Sequence, residues 1–215
     1  SSQIALWAFQ RLEQAKARSQ QSDDNWSKGP IDQFVRQRLG NAGLRPSQPA
    51  DARTLVRRLY FDLIGLPPTP EQISQFIVAH SKDSDSAVQN LVHQMLASPR
   101  YGERWGRHWL DVARYADSDG QEADQDRPHA YTYRDFVIQA FNDNRPYDLF
   151  VRWQIAGDEF EPDNDAAVSA TGFLTSGTAF KLPDSFLESE RLANRYHEMD
   201  DVISTLGAGC LGITV

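Results

Sequence analysis

Apolar residues recur every three or four positions along most of the chain, which is the spacing of one face of an α-helix. The first such segment begins at Pro30 and stops at the run Gly40-Asn41-Ala42-Gly43. Its apolar positions are Ile31, Phe34, Val35 and Leu39. A second helix is predicted over residues 50–64, because Gly65 and the pair Pro67-Pro68 forbid its continuation.

Two Ser/Thr-Pro pairs mark further helix starts. Thr69 precedes Pro70, and Gln72 stands where it completes a capping box. Ser98-Pro99 repeats the device and begins a helix rich in tryptophan. Between them, the spacing of apolar residues predicts a helix over 85–96.

The remaining helices are predicted over 131–142, 147–156 and 184–206, with an acidic loop over 157–165. No segment alternates apolar and polar residues between hairpin turns. The sequence therefore predicts an all-α fold, an irregular multi-helix domain with Pro/Gly-rich connections. Residues 1–29 are predicted to form an N-terminal arm and loop, and residues 30–215 a single α-helical domain that is a fragment of a longer protein.

Composition narrows the function classes. A net charge of −8 makes nucleic acid an improbable partner for the whole surface. Arginine supplies 18 of the 22 basic residues, and arginine pairs with carboxylates and stacks on aromatic rings. The single cysteine, Cys210, excludes an internal disulfide, a CxxC zinc site and a CxxCH haem-attachment motif within this chain. It is predicted to be a buried thiol. No apolar run has the length of a membrane-spanning helix.

The tryptophan-rich helix carries two candidate faces. One face, formed by Tyr101, Trp105, Trp109 and Val112, is predicted to pack in the core. A neighbouring face carries Arg104, His108, Asp111 and Tyr115. His108 and Asp111 have the spacing to bind a metal or relay a proton, and equally to form a structural network with nearby arginines.

The acidic turn after this helix holds the candidate metal ligands Asp117, Asp119, Glu122 and Asp124. Closely spaced carboxylates around a glycine suit calcium, but the calcium-loop consensus fails because Tyr115 would occupy its first position. A solvated or arginine-paired loop is the alternative. Residues 129–135, which include Arg134, follow at once, so the loop is expected to line a cleft.

Other acidic residues invite a glycosidase interpretation. Asp158 and Glu159 follow a helix that bears Trp153, and paired carboxylates can protonate and attack a glycosidic bond. Adjacent residues seldom point at one bond, so Asp111, Asp117 or Asp119 would have to join them. His197 and Asp201 share a helix face and form a weaker candidate metal pair. The chain has no G-x-S-x-G, phosphate-binding glycine loop or HExxH motif.

Several sequence blocks occur together in one order. They are IDQFVRQRL, TLVRRLYFDLIGLPPTPEQI, SPRYGERWGRHWLDVARYADSDG, YRDFVIQAFNDNRPYDLFVRWQIAGDE, ATGFL and DDVISTLG. Over nearly its whole length the chain resembles a domain of unknown function found mainly in Planctomycetes. The family differs at Cys210, where a bulky apolar residue is usual, and over 175–191, where a Trp-Asp-Asp-Glu pattern is usual.

The resemblance implies a setting. Such domains stand in large exported proteins beside c-type cytochrome modules and a second uncharacterised domain. A haem-attachment motif commonly follows the segment that matches Leu211–Val215, so c-type haem is expected just downstream in the full-length protein, and a periplasmic or cell-surface location is expected.

The leading expectation is an accessory or scaffold module of a cytochrome-containing protein that supports redox or substrate binding. Its haem-side or substrate-side surface would involve Trp105, His108, Trp109, Tyr115 and Arg134. One alternative is a carbohydrate-active enzyme domain whose candidate catalytic acids are Asp111, Asp158 and Glu159, with tryptophan platforms for a polysaccharide. The other is an interaction domain stabilised by calcium at the acidic turn.

Overall fold

The computed structural model describes residues 26–27, 29–120, 124–177 and 187–214. Within these ranges all regular secondary structure is helical, apart from one isolated antiparallel β-bridge between Ser118 and Asp126. The predicted all-α fold is confirmed. Most of the predicted N-terminal arm lies outside the described residues.

The chain divides into two compact units between Ala50 and Asp51. The described part of the first unit contains helix α1, Pro30–Asn41. Its start is fixed by Pro30 and by a hydrogen bond of 3.0 Å from the Gly29 amide to the Asp32 carboxylate. Its end is fixed by Gly43, whose φ of +68° reverses the chain as the glycine run predicts. The prediction of a single domain over residues 30–215 stays a prediction.

The second unit begins with three helices, α2 (Ala52–Leu63), α3 (Pro70–Lys82) and α4 (Ser84–Leu96). The predicted capping box at the start of α3 is present, with Thr69 and Gln72 exchanging hydrogen bonds of 2.8 and 3.3 Å. These helices enclose one apolar core, whose buried members are Val56, Tyr60, Phe76, Ala87 and Met95.

A second core lies among α5 (Pro99–Val112), α6 (Tyr131–Asn142), α7 (Tyr147–Phe160), α8 (Asp165–Ala170) and α9 (Gly172–Thr175). Ser98 caps α5 as the sequence predicts, accepting a hydrogen bond of 3.4 Å from the Arg100 amide. The buried members of this core are Leu110, Ala113, Tyr133, Phe136, Val137, Ala140, Phe150, Trp153, Ala167, Ala170 and Phe173.

The buried face of α5 differs from the predicted one. Gly102, Gly106 and Leu110 are its buried residues, whereas Val112 is 42% exposed. A Cβ added at Gly102 would lie only 2.3 Å from the carbonyl oxygen of Ile138. Absence of a side chain at this position therefore lets α6 approach the backbone of α5, and the expected inward position of Val112 is wrong.

The predicted acidic loop over 157–165 is present only over residues 161–164, and residues 157–160 are helical. Helix α7 kinks at Ala156 (φ −155°, ψ 42°) and continues to Phe160, and α8 follows from Asp165. A Cβ at Gly157 would lie 2.0 Å from the carbonyl oxygen of Ala167, so this glycine allows α7 and α8 to touch. Hydrophobic spacing does not reveal a contact of this kind.

The described C-terminal part holds α10, Glu188–Leu206, and a π-helical turn, Gly207–Leu211. Helix α10 has no buried residue. Cys210, in the π-helical turn, is half-buried rather than fully buried, and burial raises the pKa of its thiol. Among the described helices, none is both long enough and apolar enough to cross a membrane.

Candidate functional site

The turn that ends α5 leads into the acidic turn of the sequence analysis, here called the acidic segment, residues 117–127. Arg114 adopts a φ of +59°, and the Tyr115 amide donates a hydrogen bond of 2.9 Å to the carbonyl of Leu110. This is the left-handed helix ending usually made by glycine. The Arg114 guanidinium donates to the Asp201 carboxylate of α10. This tertiary contact offsets part of the free-energy cost of the left-handed backbone conformation of Arg114.

The acidic segment forms a short antiparallel ladder. The Asp119 amide donates to the carbonyl of Gln125, and the Arg127 amide donates to the carbonyl of Asp117, both at 2.8 Å. At the tip, the Gly120 amide donates to the Asp124 carboxylate at 3.1 Å. The ladder brings Asp119 and Arg127 side by side.

Arg127 joins this segment to the end of α9. Its Nε donates to the Asp119 carboxylate at 2.7 Å, and its terminal nitrogens donate to the carbonyls of Ser176 at 3.1 Å and Gly177 at 2.6 Å. The Arg127 and Asp119 side chains are 15% and 12% exposed. The shielded pair therefore closes one wall of a cleft.

The cleft has a volume of about 550 Å³ and a mixed polar and apolar lining. Its walls come from the acidic segment, the start of α6 and the helices α8 and α9. The side chains that give it chemical character include those of Tyr115, Asp119, Arg127, His129, Thr132 and Ser176. This volume falls in the usual range for small-ligand pockets.

A charged cluster surrounds Tyr115. Its hydroxyl donates to Asp117 at 2.5 Å, and Arg134 pairs with Asp135 at 2.9 Å. Burial, together with the hydrogen bond and negative charge of Asp117, raises the pKa of Tyr115 to about 12. The hydrogen bond to Asp135 raises the pKa of Arg134. Tyr115 is therefore a protonated hydrogen-bond donor at neutral pH.

Beneath the cleft lies a buried polar network. Trp109 Nε1 donates to Gln154 Oε1 at 2.7 Å, and the Tyr133 hydroxyl donates to the same oxygen at 2.7 Å. The Gln154 amide nitrogen donates to the Phe150 carbonyl at 3.0 Å, and Gln154 is only 1% exposed. The network fixes the ring of Tyr133, which lines the cleft.

The predicted cofactor-binding residues do not form one surface. Tyr115 lines the cleft, and Arg134 interacts with Tyr115. Trp109 belongs to the buried network. Trp105 and His108 contact each other with ring centroids 5.4 Å apart, but neither lines the cleft.

The three candidate catalytic acids lie outside the cleft. Asp111 pairs with Arg107 at 3.1 Å on the exposed side of α5, as the structural interpretation of that face expects. Asp158 and Glu159 lie exposed near the end of α7 and do not line the cleft. The described structure therefore does not bring Asp111, Asp158 and Glu159 together around one cavity.

Among the candidate metal ligands, Asp117 accepts from Tyr115, Asp119 from Arg127, and Asp124 from the Gly120 amide. Glu122 lies outside the described residues. Within the part of the chain that is described, no group of three or more His, Cys, Asp or Glu side chains is arranged to hold a metal ion. Calcium binding at this turn stays a prediction.

Two residues that position this site are absent from the sequence-based candidates. Arg127 could not be distinguished from the other arginines, because its partners are backbone carbonyls far along the chain. The sequence does contain a signal for the role of Gln154, because it is a polar residue among the inward positions of an otherwise apolar helical stretch. A buried polar residue of this kind needs partners.

Comparison with known proteins gives one family. Residues 30–215 match the family model described as PSCyt2, protein of unknown function (DUF1549). Searches of curated proteins and of solved structures return no match to the chain.

Proposed function

Because the chain belongs to the PSCyt2 family of proteins of unknown function, we propose that it is a helical scaffold module working beside a c-type cytochrome module of the same exported protein. The name of the family fits an association with cytochromes. In this proposal the chain supplies binding surfaces, and the redox group belongs to the neighbouring module.

The state of the candidate acids is the observation that carries the proposal. Asp111, Asp117 and Asp119 each have a partner within the same or the adjoining element, namely Arg107, Tyr115 and Arg127. Acid–base catalysis of glycoside cleavage needs two carboxyl groups facing one substrate bond. Carboxylates held in local pairs support a structural role instead.

The chain itself does not fit covalent haem attachment. A c-type haem is attached through the two cysteines of a C-x-x-C-H motif, and this chain has the single cysteine Cys210. The cleft beside Tyr115 and Arg127 is the surface that would face a substrate or a partner in the full-length protein.

The direct test is a visible absorption spectrum of the natural full-length protein, expressed in a host that matures c-type cytochromes. A Soret band that survives denaturation is expected, because the haem would be covalently attached. A protein whose haem-attachment cysteines are replaced by alanine is the control, and it should lose the band. Absence of covalent haem from the full-length protein would contradict the proposal.

A second measurement separates a scaffold from a catalytic domain. Any turnover found for the full-length protein is expected to survive Asp111→Asn and Asp158→Asn, because both side chains lie on exposed helix surfaces outside the cleft. A loss of turnover by orders of magnitude, with folding unchanged, would favour the carbohydrate-active alternative. That alternative and the calcium-stabilised domain stay predictions, and no contact among the described residues favours either.

A further inference from the structure

A second cleft is lined almost entirely by residues of α2. It has a volume of about 640 Å³. Its lining consists of Thr54, Arg57, Arg58, Leu59, Phe61, Asp62 and Arg104. All but Arg104 belong to α2, and Arg104 comes from α5.

The charge of this cleft is unusual for this chain. Three arginines and a single acidic residue, Asp62, line it, although acidic residues outnumber basic ones, 30 to 22, in the sequence. Elsewhere, several arginines are neutralised by acids, as in the pairs Arg107–Asp111 and Arg127–Asp119. Among the described residues, the ion pairs include none for Arg57, Arg58 or Arg104.

Arg104 is held in this cleft by the turn that follows α2. Gly65 adopts a φ of +72°, and a Cβ added there would lie 2.8 Å from Cδ of Arg104. The glycine therefore leaves room for the arginine stem to lie across the turn. Nε of Arg104 is buried and has no hydrogen-bond partner within the described structure. A buried donor without an acceptor is unfavourable, and among the described residues the Arg104 side chain has no internal partner that competes with a ligand for its guanidinium group.

The other wall combines a cation with an aromatic surface. The guanidinium carbon of Arg57 lies 4.8 Å from the ring centroid of Phe61, within the range of a cation–π contact. Phe61 is 38% exposed, and Leu59 continues the apolar surface. The cleft thus presents guanidinium groups beside a flat apolar patch.

We propose that this cleft binds the oxyanion group of a small organic molecule, a carboxylate or a phosphate or sulfate ester, with the apolar part of the molecule lying on Phe61. Guanidinium groups bind such oxygens through paired, charge-assisted hydrogen bonds. Arg104 from α5 and Arg57 from α2 supply the cationic groups. The carboxylate of Asp62 belongs to the same lining and opposes the binding of an anion. The proposal does not depend on the cytochrome association.

The test is a titration of the isotope-labelled chain followed by NMR, with arginine Nε–H signals as the readout. Phenyl phosphate, phenyl sulfate and benzoate are the organic probes, inorganic phosphate and sulfate are the free ions, and benzyl alcohol is the uncharged control. Saturable shifts of the Arg104 Nε–H signal in the millimolar range or below are expected with at least one oxyanion. Benzyl alcohol should produce none.

Three variants sharpen the result. Arg104→Met keeps the apolar stem against Gly65 but removes the guanidinium, and it should weaken binding about tenfold or more while the melting temperature stays close to that of the wild type. Arg107→Gln, on the same helix but paired with Asp111, is the matched control and should leave binding unchanged. Asp62→Asn should tighten binding several-fold, because it removes the opposing charge.

The outcomes are decisive in both directions. Stronger binding of the phenyl esters than of the free ions would support the aromatic subsite, and equal binding would reduce the site to a general anion site and overturn that part of the proposal. The proposal as a whole fails if no oxyanion produces a saturable shift, or if Arg104→Met binds as the wild type does.

Discussion

Gly102 of α5 lies directly against Ile138 of α6, so closely that an added Cβ would be 2.3 Å from the Ile138 carbonyl oxygen. The Gly102 amide also donates a hydrogen bond of 2.8 Å to the side-chain oxygen of Asn142. The tryptophan-rich helix is thus joined to α6 through its glycines as well as its aromatic rings.

The first prediction concerns this contact. Gly102→Ala should lower the free energy of unfolding by about 3 kcal/mol, because the backbone of α6 would have to move. Denaturant unfolding followed by circular dichroism measures the change. Gly106→Ala is the matched control on the same face, where an added Cβ would meet Val137 and Ile138 side chains at an ordinary 3.5 Å. It should be neutral or stabilising by up to about 1 kcal/mol, and equal losses in both variants would contradict the structural explanation.

The second prediction concerns Arg127, whose guanidinium joins the acidic segment to the end of α9. Arg127→Ala should destabilise the protein by about 2–3 kcal/mol, because it leaves the shielded Asp119 carboxylate without this partner. Arg107→Ala removes an exposed pair and should cost less than about 1 kcal/mol. Thermal unfolding of the two variants measures the two losses of stability. A smaller loss for Arg127→Ala than for Arg107→Ala would contradict the structural role of Arg127.

The third prediction concerns the buried amide of Gln154. Gln154→Leu should cost about 2 kcal/mol, because the Tyr133 hydroxyl loses its acceptor and Trp109 Nε1 keeps only its longer hydrogen bond of 3.1 Å to the Tyr133 hydroxyl oxygen. Tyr133→Phe alone should cost about 1 kcal/mol, and the double variant should be less destabilised than the sum of the two. A double-mutant cycle in denaturant measures this coupling, and strict additivity would show that the three side chains do not act as one network.

The fourth prediction concerns alkaline pH. The pKa of Tyr115 is raised from 10.0 to about 12 in the folded protein. Since the folded pKa exceeds the unfolded one, the contribution to stability is fully present below pH 10.0 and is lost as the pH rises toward about 12. The Tyr115→Phe variant should lose less stability than the wild type as the pH rises from 10.0 to about 12.

Asp117→Asn provides the companion measurement. Loss of the negative charge of Asp117 should lower the pKa of Tyr115, as followed by tyrosinate ultraviolet absorbance during an alkaline titration. Asp143→Asn is a suitable control, because Asp143 is an exposed carboxylate at the end of α6 that accepts a hydrogen bond from Gln139 of the same helix. An identical tyrosine titration in wild type and Asp117→Asn would mean that burial alone sets the pKa.

Sequence pattern determined the local structure of this chain well. Thr69 and Gln72 formed the predicted capping box, Ser98 capped α5, and Gly43 ended α1 with a positive φ. These features depend on a few neighbouring residues and on backbone geometry that only certain side chains allow. The all-α fold followed because hydrophobic spacing is a property of each helix by itself.

Close approaches between helices were decided by tertiary structure. The sequence predicts that α7 ends at Ala156, and the structure has a kink there, after which helical geometry resumes to Phe160. At Gly157, α8 packs where a side chain would have been. The same reason explains why the buried face of α5 centres on Gly102 and Gly106. A glycine that breaks a helix and a glycine that admits a neighbour are identical in the sequence.

The candidate site divides in the same way. The sequence by itself determined that acidic residues and aromatic side chains follow α5, since these residues are adjacent in the chain. Only the tertiary structure decided which of them act together, because Arg127 reaches the carbonyls of Ser176 and Gly177, and Arg104 reaches the cleft of α2 across Gly65. Hydrogen bonds between distant segments depend on where the helices pack, and no spacing along the chain encodes them.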